Sequence, residues 1–456
     1  MNAIIKMKKY IIKNGGRMSL ISVNNLTFEY DGSYNKIFED VTFNIDTNWK
    51  LGLIGRNGKG KTTFLKLLQG KYKYKGSISK NVDVCYFPFE VENKNRMAIE
   101  IVNEIAPNAN DWEIIKEVNL LNTAPEILYR NFNLLSGGEQ VKILLIGLFL
   151  KENNFLLIDE PTNHLDSETR NNLVHYLEKK KGFILVSHDR NFLDKVVDHI
   201  IAINNTNIEI MQGNFSNWKE NKEKKDNFEI MQNEKLQKDI DRLEIASKNS
   251  AKWSDEAENG KKKKYNSETT IDKGFVGHKA SKMMKRSKVM EQRIEKAINE
   301  KTNLLRNVDR NEPLKIIPLV SNKTPLVLAN NLKISYVSQS TEGLKGELKA
   351  FSRENKIDES IFKAMLVKMG FAKEDFDKNI QDMSEGQKKK VLIAKSISEQ
   401  ANIYIWDEPL NYIDILTRIQ IEESILNCKP TLIFVEHDET FIKKVSTKII
   451  NLENCN

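Results

Sequence analysis

The sequence predicts an α/β fold of the P-loop type, present twice and joined by an α-helical hairpin. Three observations predict it. "GRNGKGKT" (55–62) fits G-x-x-x-x-G-K-[ST] directly after the strand-like "KLGLI". An apolar run ending in Asp-Glu-Pro occurs in each half, as "FLLIDEPTNHLD" (155–166) and "IYIWDEPLNYID" (403–414). Between the halves, residues 219–310 are charged, proline-free and helix-prone.

The first motif has a direct chemical reading. Gly55, Gly58 and Gly60 let backbone N–H groups turn toward phosphate oxygens, and Asn57 lies among them. Lys61 adds a point charge, Thr62 offers a hydroxyl to Mg²⁺, and the helix opening at Thr62–Thr63 presents its positive end.

Downstream, "LLSGGEQ" (134–140), the Asp-Glu-Pro run and "ILVSHD" (184–189) are answered by "DMSEGQ" (382–387), its own run and "IFVEHD" (433–438). Ser136 to Glu160 and Ser384 to Glu408 are both 24 residues; from each glutamate to the histidine, His188 or His437, is 28 and 29. Matched spacing of this kind marks a duplicated domain.

The second copy lacks its glycine-rich loop. Tyr86 lies 25 residues after Lys61, and the same count back from Tyr336 lands on Asn311 in "NVDRNEPLK". No glycine occurs between residues 278 and 342. "PLVLANNL" (325–332) parallels "SLISVNNL" (19–26), yet Leu26 to Tyr86 is 60 residues and Leu332 to Tyr336 is 4. About 56 residues are therefore expected to be missing, P-loop included; the alternative is a diverged copy that never had one.

Composition limits the function classes. Lys+Arg exceed Asp+Glu by 8, and residues 219–310 carry 24 basic against 17 acidic side chains, so nearly all the excess is local. Within 248–288 the count is 12 against 5. "KLQKDIDRLEI" (235–245) and "MEQRIEKAINEKTNLL" (290–305) have apolar residues at helical spacing and would pair as antiparallel arms, with a tip near 253–275 holding "KKKKY", Trp253 and Phe275. Such a patch suits a phosphate backbone; Lys261, Lys262, Lys263, Lys264, Lys279, Lys282, Lys285 and Arg286 are the candidate RNA contacts. The longest apolar run, "ILLIGLFL", is too short to span a membrane, and Cys85, Cys428 and Cys455 have no metal-ligand or pairing pattern, as expected of a cytoplasmic chain. Residues 1–17 are expected to be a non-native extension, with translation from Met18 and "NGGRM" encoding a ribosome-binding site; the alternative is a genuine disordered extension.

P-loop, LSGGEQ, DEPTNHLD and SHD in this order resemble an ATP-binding-cassette ATPase over roughly residues 18–452. Two cassettes around a charged connector, with no membrane span, resemble the ABC-F branch, whose members act on ribosomes. "DKGFVGHKASKMMKRSK" (272–288), "WDEPLNYID" and "VEHD" are similar to the ribosome-protecting antibiotic-resistance members of the Lsa type. The resemblance implies a first cassette at 18–215, a helical-hairpin linker at 216–312 and a truncated second cassette at 313–456. It implies ATP and Mg²⁺ as cofactors. Gly55 to Thr63 would face Ser384, Gly386 and Gln387 across the cassettes; Thr62 and Asp159 would hold Mg²⁺; Glu160 would polarise the attacking water and His188 would contact the γ-phosphate. Tyr30 would stack on adenine. Ser136, Gly137, Gly138, Gln140, Glu408 and His437 would be left as a relic site. Phe89 stands where cassettes carry the Q-loop glutamine, which implies slow hydrolysis.

The resemblance also implies a monomer whose hairpin enters the ribosome near the tRNA exit site, against rRNA and P-site tRNA, and displaces lincosamide, streptogramin A or pleuromutilin drugs. No DNA or membrane partner is expected. Three alternatives remain: a defective remnant binding one ATP, a homodimer through first cassettes, and a DNA-repair-type cassette, which would need a longer coiled coil.

Overall fold

A computed structural model describes residues 19–30, 36–162, 165–204, 206–263, 289, 292–294, 296–297, 313–319 and 332–450. Its fold divides into two units, residues 1–218 with 311–456, and residues 219–310. The first unit thus contains both cassettes.

The first cassette is built on two sheets. β1 (Leu20–Glu29) pairs antiparallel with β2 (Lys36–Asp46) and β4 (Lys75–Ser79). The six-stranded sheet runs β5-β6-β7-β3-β8-β9, from β5 (Asp83–Phe87), β6 (Asn154–Asp159), β7 (Phe183–Val186), β3 (Lys50–Ile54), β8 (His199–Asn204) and β9 (Asn207–Gln212). All neighbours are parallel except β8 and β9. Its central strands read as continuous apolar runs because both faces are covered. One face carries α2 (Ala98–Ile105), α4 (Gly137–Leu150), α5 (Ser167–Glu178) and α6 (Arg190–Val196), beyond which α3 (Asp111–Leu120) joins the same core; the other packs on β1, β2 and α1 (Lys61–Leu68) through Phe64, Leu65 and Leu68.

The second cassette repeats part of this plan. β10 (Ile334–Val337), β11 (Ile403–Asp407) and β12 (Leu432–Val435) form a parallel sheet in that order, the counterpart of β5-β6-β7. One face, with Val337, Tyr404 and Trp406, is buried with α8 (Leu348–Glu354), α9 (Glu359–Lys368), α10 (Glu385–Ser398), α11 (Ile415–Cys428) and α12 (Glu439–Val445). The other carries Ile334, Tyr336, Ile403, Ile405, Ile433 and Val435, of which Ile334, Tyr336, Ile433 and Val435 are 50–58% exposed. The corresponding residues of the first cassette, Val84, Tyr86, Phe155, Leu157, Ile184 and Val186, all pack in the core shared with β1, β2 and α1. Ile200 and Ile201, buried in β8 against β3, have as counterparts Ile449 and Ile450, each 68% exposed and outside any strand. A strand needs a neighbour to satisfy its backbone, and among the described residues the second cassette offers none in the place of β3.

α7 (Phe215–Lys263) starts with Phe215 and Trp218 buried in the first cassette and continues into the unit of residues 219–310; of the stretch 290–305 expected as a second arm only 292–294 and 296–297 are described. The helix continues through Trp253 to Lys263, so the stretch expected as a tip begins as helix. Ala, Lys and Glu favour that continuation, and one internal glycine, Gly260, costs only about 1 kcal/mol. Residues 264–288, which contain Lys264, Lys279, Lys282, Lys285 and Arg286, lie outside the described residues, as do 1–18 and 325–331.

Candidate nucleotide-binding site

β3 ends at Ile54 and the chain turns through Gly55–Gly60 into α1. Gly60, at φ 96°, caps that helix; a Cβ there would come 2.6 Å from Ile37 Cγ2, so only glycine fits. Gly58 is also left-handed, at φ 78°. Lys61 Nζ folds back onto the loop, donating to Gly55 O at 2.7 Å and to Asn57 Oδ1 at 3.2 Å. Thr62 is exposed at the helix start. Thr63 is buried and its Oγ1 lies 2.7 Å from Tyr30 OH. The Tyr30 ring sits edge-on to Phe28 and Tyr72, with centroids 5.1 and 5.8 Å away.

β6 delivers the carboxylates. Asp159 accepts from Tyr86 OH at 2.7 Å. Glu160 follows at φ 50°, its N–H donating to Val186 O at 2.9 Å, and His188 Nε2 lies 3.2 Å from Glu160 Oε1. Burial, then the Asp159 charge, pushes the Glu160 carboxyl up to about 8. Burial raises Asp159 above the usual carboxylate range and lowers Lys61. His188 is held well below the ordinary imidazole value, first by burial and then by Lys61 and Arg418. Burial thus disfavours the charged forms of both Glu160 and His188, the pattern of perturbed neighbours found at functional sites.

The second cassette closes over this loop. Asn57 Nδ2 donates to Tyr412 O at 2.8 Å, and Asn57 N to Asp414 Oδ2 at 3.3 Å. Arg56 Nη1 donates to Lys368 O at 3.3 Å. Asp414 is fully buried, bonded by Lys390 Nζ at 2.6 Å and held well below the ordinary carboxylate value despite burial, by Lys390 and Lys61. Ser384 caps α10, accepting from Gln387 N at 3.3 Å, and Gln387 Oε1 accepts from Ser384 N at 3.1 Å. A Cβ on Gly386 would fall 2.7 Å from Asn57 Nδ2 and 2.6 Å from Tyr412 O. Of the expected partners, Gly386 is brought against Asn57 of the loop, while Ser384 and Gln387 bond each other and Gln387 Nε2 donates to Asp375 Oδ1 at 3.0 Å.

The other candidate set is not. Ser136 caps α4 by accepting from Glu139 N at 3.3 Å, a Cβ on Gly137 would meet open space, and Gln140 bonds its own cassette at Phe132 O and Leu135 O. The nearest atoms to a Cβ on Gly138, the counterpart of Gly386, belong to Thr169 and Leu165 of its own cassette. Glu408, at φ 43°, accepts from Asn411 Nδ2 at 2.5 Å, and His437, 75% exposed, lies 3.4 Å from it. Below them, the fully buried Lys389 donates to Ser338 O, Gln339 O and Asp407 O, where the first cassette has Val141.

Sequence reading missed Arg56, Tyr412, Asp414 and Lys390 as site residues. The signal for two of them was present in "NYID", the counterpart of "NHLD", whose last residue meets the opposite loop. Tyr86 served only as a ruler, although its hydroxyl holds Asp159.

A sequence profile described as ABC transporter matches residues 38–163 and 178–411. The chain belongs to the ABC transporter family. Membership carries ATP binding and ATPase activity in general terms, and the relatives are of the ABC-F type. Ribosome protection protein VmlR of Bacillus subtilis (strain 168) is 26% identical over 502 aligned residues, covering 95% of this chain and 87% of that protein. ABC transporter F family member 5 of Arabidopsis thaliana is 27% identical over 536, covering 97% and 76%. A chain in the crystal structure of the archaeal ribosomal stalk protein aP1 with the archaeal ribosome recycling factor aABCE1 shares the fold, with TM-score 0.52 at 18% identity, covering 92% of this chain and 86% of that one. In this member of the family no described helix is long and apolar enough to cross a membrane.

Proposed function

We propose that this chain is a cytoplasmic, monomeric ATP-dependent ribosome protection protein of the ABC-F type. The observation that carries the reading is the contact of the P-loop of the first cassette, through Asn57, with Gly386, Tyr412 and Asp414 of the second, which supports one composite nucleotide site within a single chain. Gly55, Gly58, Gly60 and Lys61 would cradle the phosphates of ATP, with Ser384, Gly386 and Gln387 opposite and Tyr30 at the base. Thr62 and Asp159 suit Mg²⁺, which binds through few protein oxygens plus the phosphates and supplies charge neutralisation there. Glu160 would polarise the attacking water, and His188, whose Nε2 lies 3.2 Å from Glu160 Oε1, would contact the γ-phosphate. Positioning and electrostatics dominate such chemistry. The connector, with Lys261–Lys264, Lys279, Lys282, Lys285 and Arg286, would neutralise rRNA and P-site tRNA backbone near the tRNA exit site. Drugs of the lincosamide, streptogramin A or pleuromutilin class would be displaced from the peptidyl-transferase region.

The second cassette is read as truncated. Supporting this, the alignment with VmlR runs over 502 residues while this chain has 456 in all. The exposed Ile334, Tyr336, Ile433 and Val435 favour a second reading, a destabilised remnant that binds one ATP without protecting.

Susceptibility of a sensitive Gram-positive host separates the two. This chain from Met18, a version with a P-loop segment restored after Leu332, and an empty vector are compared, with ATP-dependent ribosome co-sedimentation alongside. Protection by the unrepaired chain supports the proposal; protection only after restoration, with ATP still bound by the unrepaired chain, establishes the remnant.

A further inference from the structure

The contact between the cassettes is not symmetric, although the cassettes are duplicates. Arg190, two residues after His188, sits at the start of α6 and forms a bidentate pair with Glu422 on α11: Nη1 donates to Oε2 at 3.1 Å and Nη2 to Oε1. Glu422 is fully buried and Arg190 is 8% exposed. Lys444 Nζ lies 3.0 Å from the same carboxylate. One and two turns before Glu422, Ile419 and Ile415 belong to the core cluster of the first cassette. Residues at i, i+4 and i+7 share a helix face, so 415, 419 and 422 form one docking strip.

The repeat supplies an internal control. Arg170–Asp189 and Arg418–Asp438 occupy equivalent positions and both pair, at 3.4 and 3.2 Å. By the same numbering the counterparts of Ile415, Ile419 and Glu422 are Ser167, Asn171 and Val174, and that of Arg190 is Glu439, which pairs with Lys443 at the surface. The buried pair therefore exists once. If two first cassettes met in the same geometry, Arg190 would face Val174 in place of its bidentate partner and keep only the counterpart of Asp438, which lies 3.9 Å from it here.

We propose that the strip Ile415–Ile419–Glu422 with Arg190 is a directional latch: it specifies that the His188 side of the first cassette docks on α11 of the second cassette of the same chain, and excludes pairing of two first cassettes. The latch gives the second cassette a positioning role that needs no nucleotide of its own, and it stands independently of any ribosomal reading.

Charge exchange in the full chain tests it. R190E, E422R and the double variant are compared by hydrogen exchange of residues 415–428 and by solution mass. Each single variant is expected to speed exchange of that helix at least about tenfold, while β6 stays protected, and the double variant, carried together with K444E because Lys444 lies 3.0 Å from Glu422, to return it to within roughly threefold of the parent with a monomeric mass. A double variant no better than either single, or singles that leave the helix unchanged, overturns the latch. If a reversal prevents folding, seen as loss of β6 protection, E422Q takes its place; a smaller, localised increase supports the proposal and an unchanged helix overturns it.

Discussion

Asn57 of the first cassette donates its side-chain amide to the Tyr412 carbonyl of the second at 2.8 Å, in the turn between Glu408 and Asp414. One residue of the P-loop thus reads the backbone position of the segment that follows the second Asp-Glu pair. The opening of one half and the strand end of the other meet here, and the predictions below follow from that meeting.

The Lys61 ammonium rests on Gly55 O and Asn57 Oδ1, within the loop expected to hold phosphate. Lys61→Ala is expected to weaken ATP binding about 10- to 100-fold, the worth of one charge-assisted hydrogen bond to phosphate. Calorimetric titration of the full chain checks it; affinity within about threefold of the parent would contradict the assignment of loop 55–62.

Gly386→Ala places a methyl group against Tyr412 O and Asn57 Nδ2. The cassettes must part, at a cost of about 1–3 kcal/mol. The expected result is retained nucleotide binding with strongly reduced hydrolysis, measured as ATP affinity against phosphate release. Equal loss of both would mean that the signature does not act at this site.

Glu160 stays protonated in the fold up to about pH 8, whereas its ordinary value is 4.5. The folded state therefore binds more protons than the unfolded chain between those limits. Stability contributed by the neutral carboxyl is present at low pH and is lost as pH rises from 4.5 toward 8, then levels off. Glu160→Gln removes this dependence, so its advantage in unfolding free energy over the parent, from urea titration, should widen from pH 5 to pH 8, by an amount on the order of a few kcal/mol at most. A gap independent of pH would place the carboxylate in a more solvated setting.

The bare face of the second sheet offers a test of its own. Ile433 and Val435 are 58% and 54% exposed on β12. Apolar surface beside an open strand edge promotes association. Ile433→Thr with Val435→Thr should lower self-association in light scattering while changing stability by no more than about 0.5 kcal/mol. Unchanged scattering would show that another surface drives association.

Much of the site was legible because phosphate chemistry constrains local sequence. A loop that must turn its N–H groups inward needs glycines at fixed offsets, and Gly58 and Gly60 do adopt left-handed backbone. Strand-end carboxylates need an apolar run before them, and Asp159 and Glu160 lie where "FLLIDEP" put them. The duplication was equally open to counting, and β10-β11-β12 repeats the order β5-β6-β7.

What could not be read was which individual side chains pair where distant surfaces meet. Glu422 looks like any helical glutamate and Arg190 like any helix-start arginine; only packing shows that both are buried and joined across 232 residues. The same holds for Asp414, whose partner Asn57 is 357 residues away. Local chemistry is written in spacing along the chain, because a motif must carry its own turns and caps. Which copy docks on which is settled by complementary burial between distant segments, and no spacing encodes that.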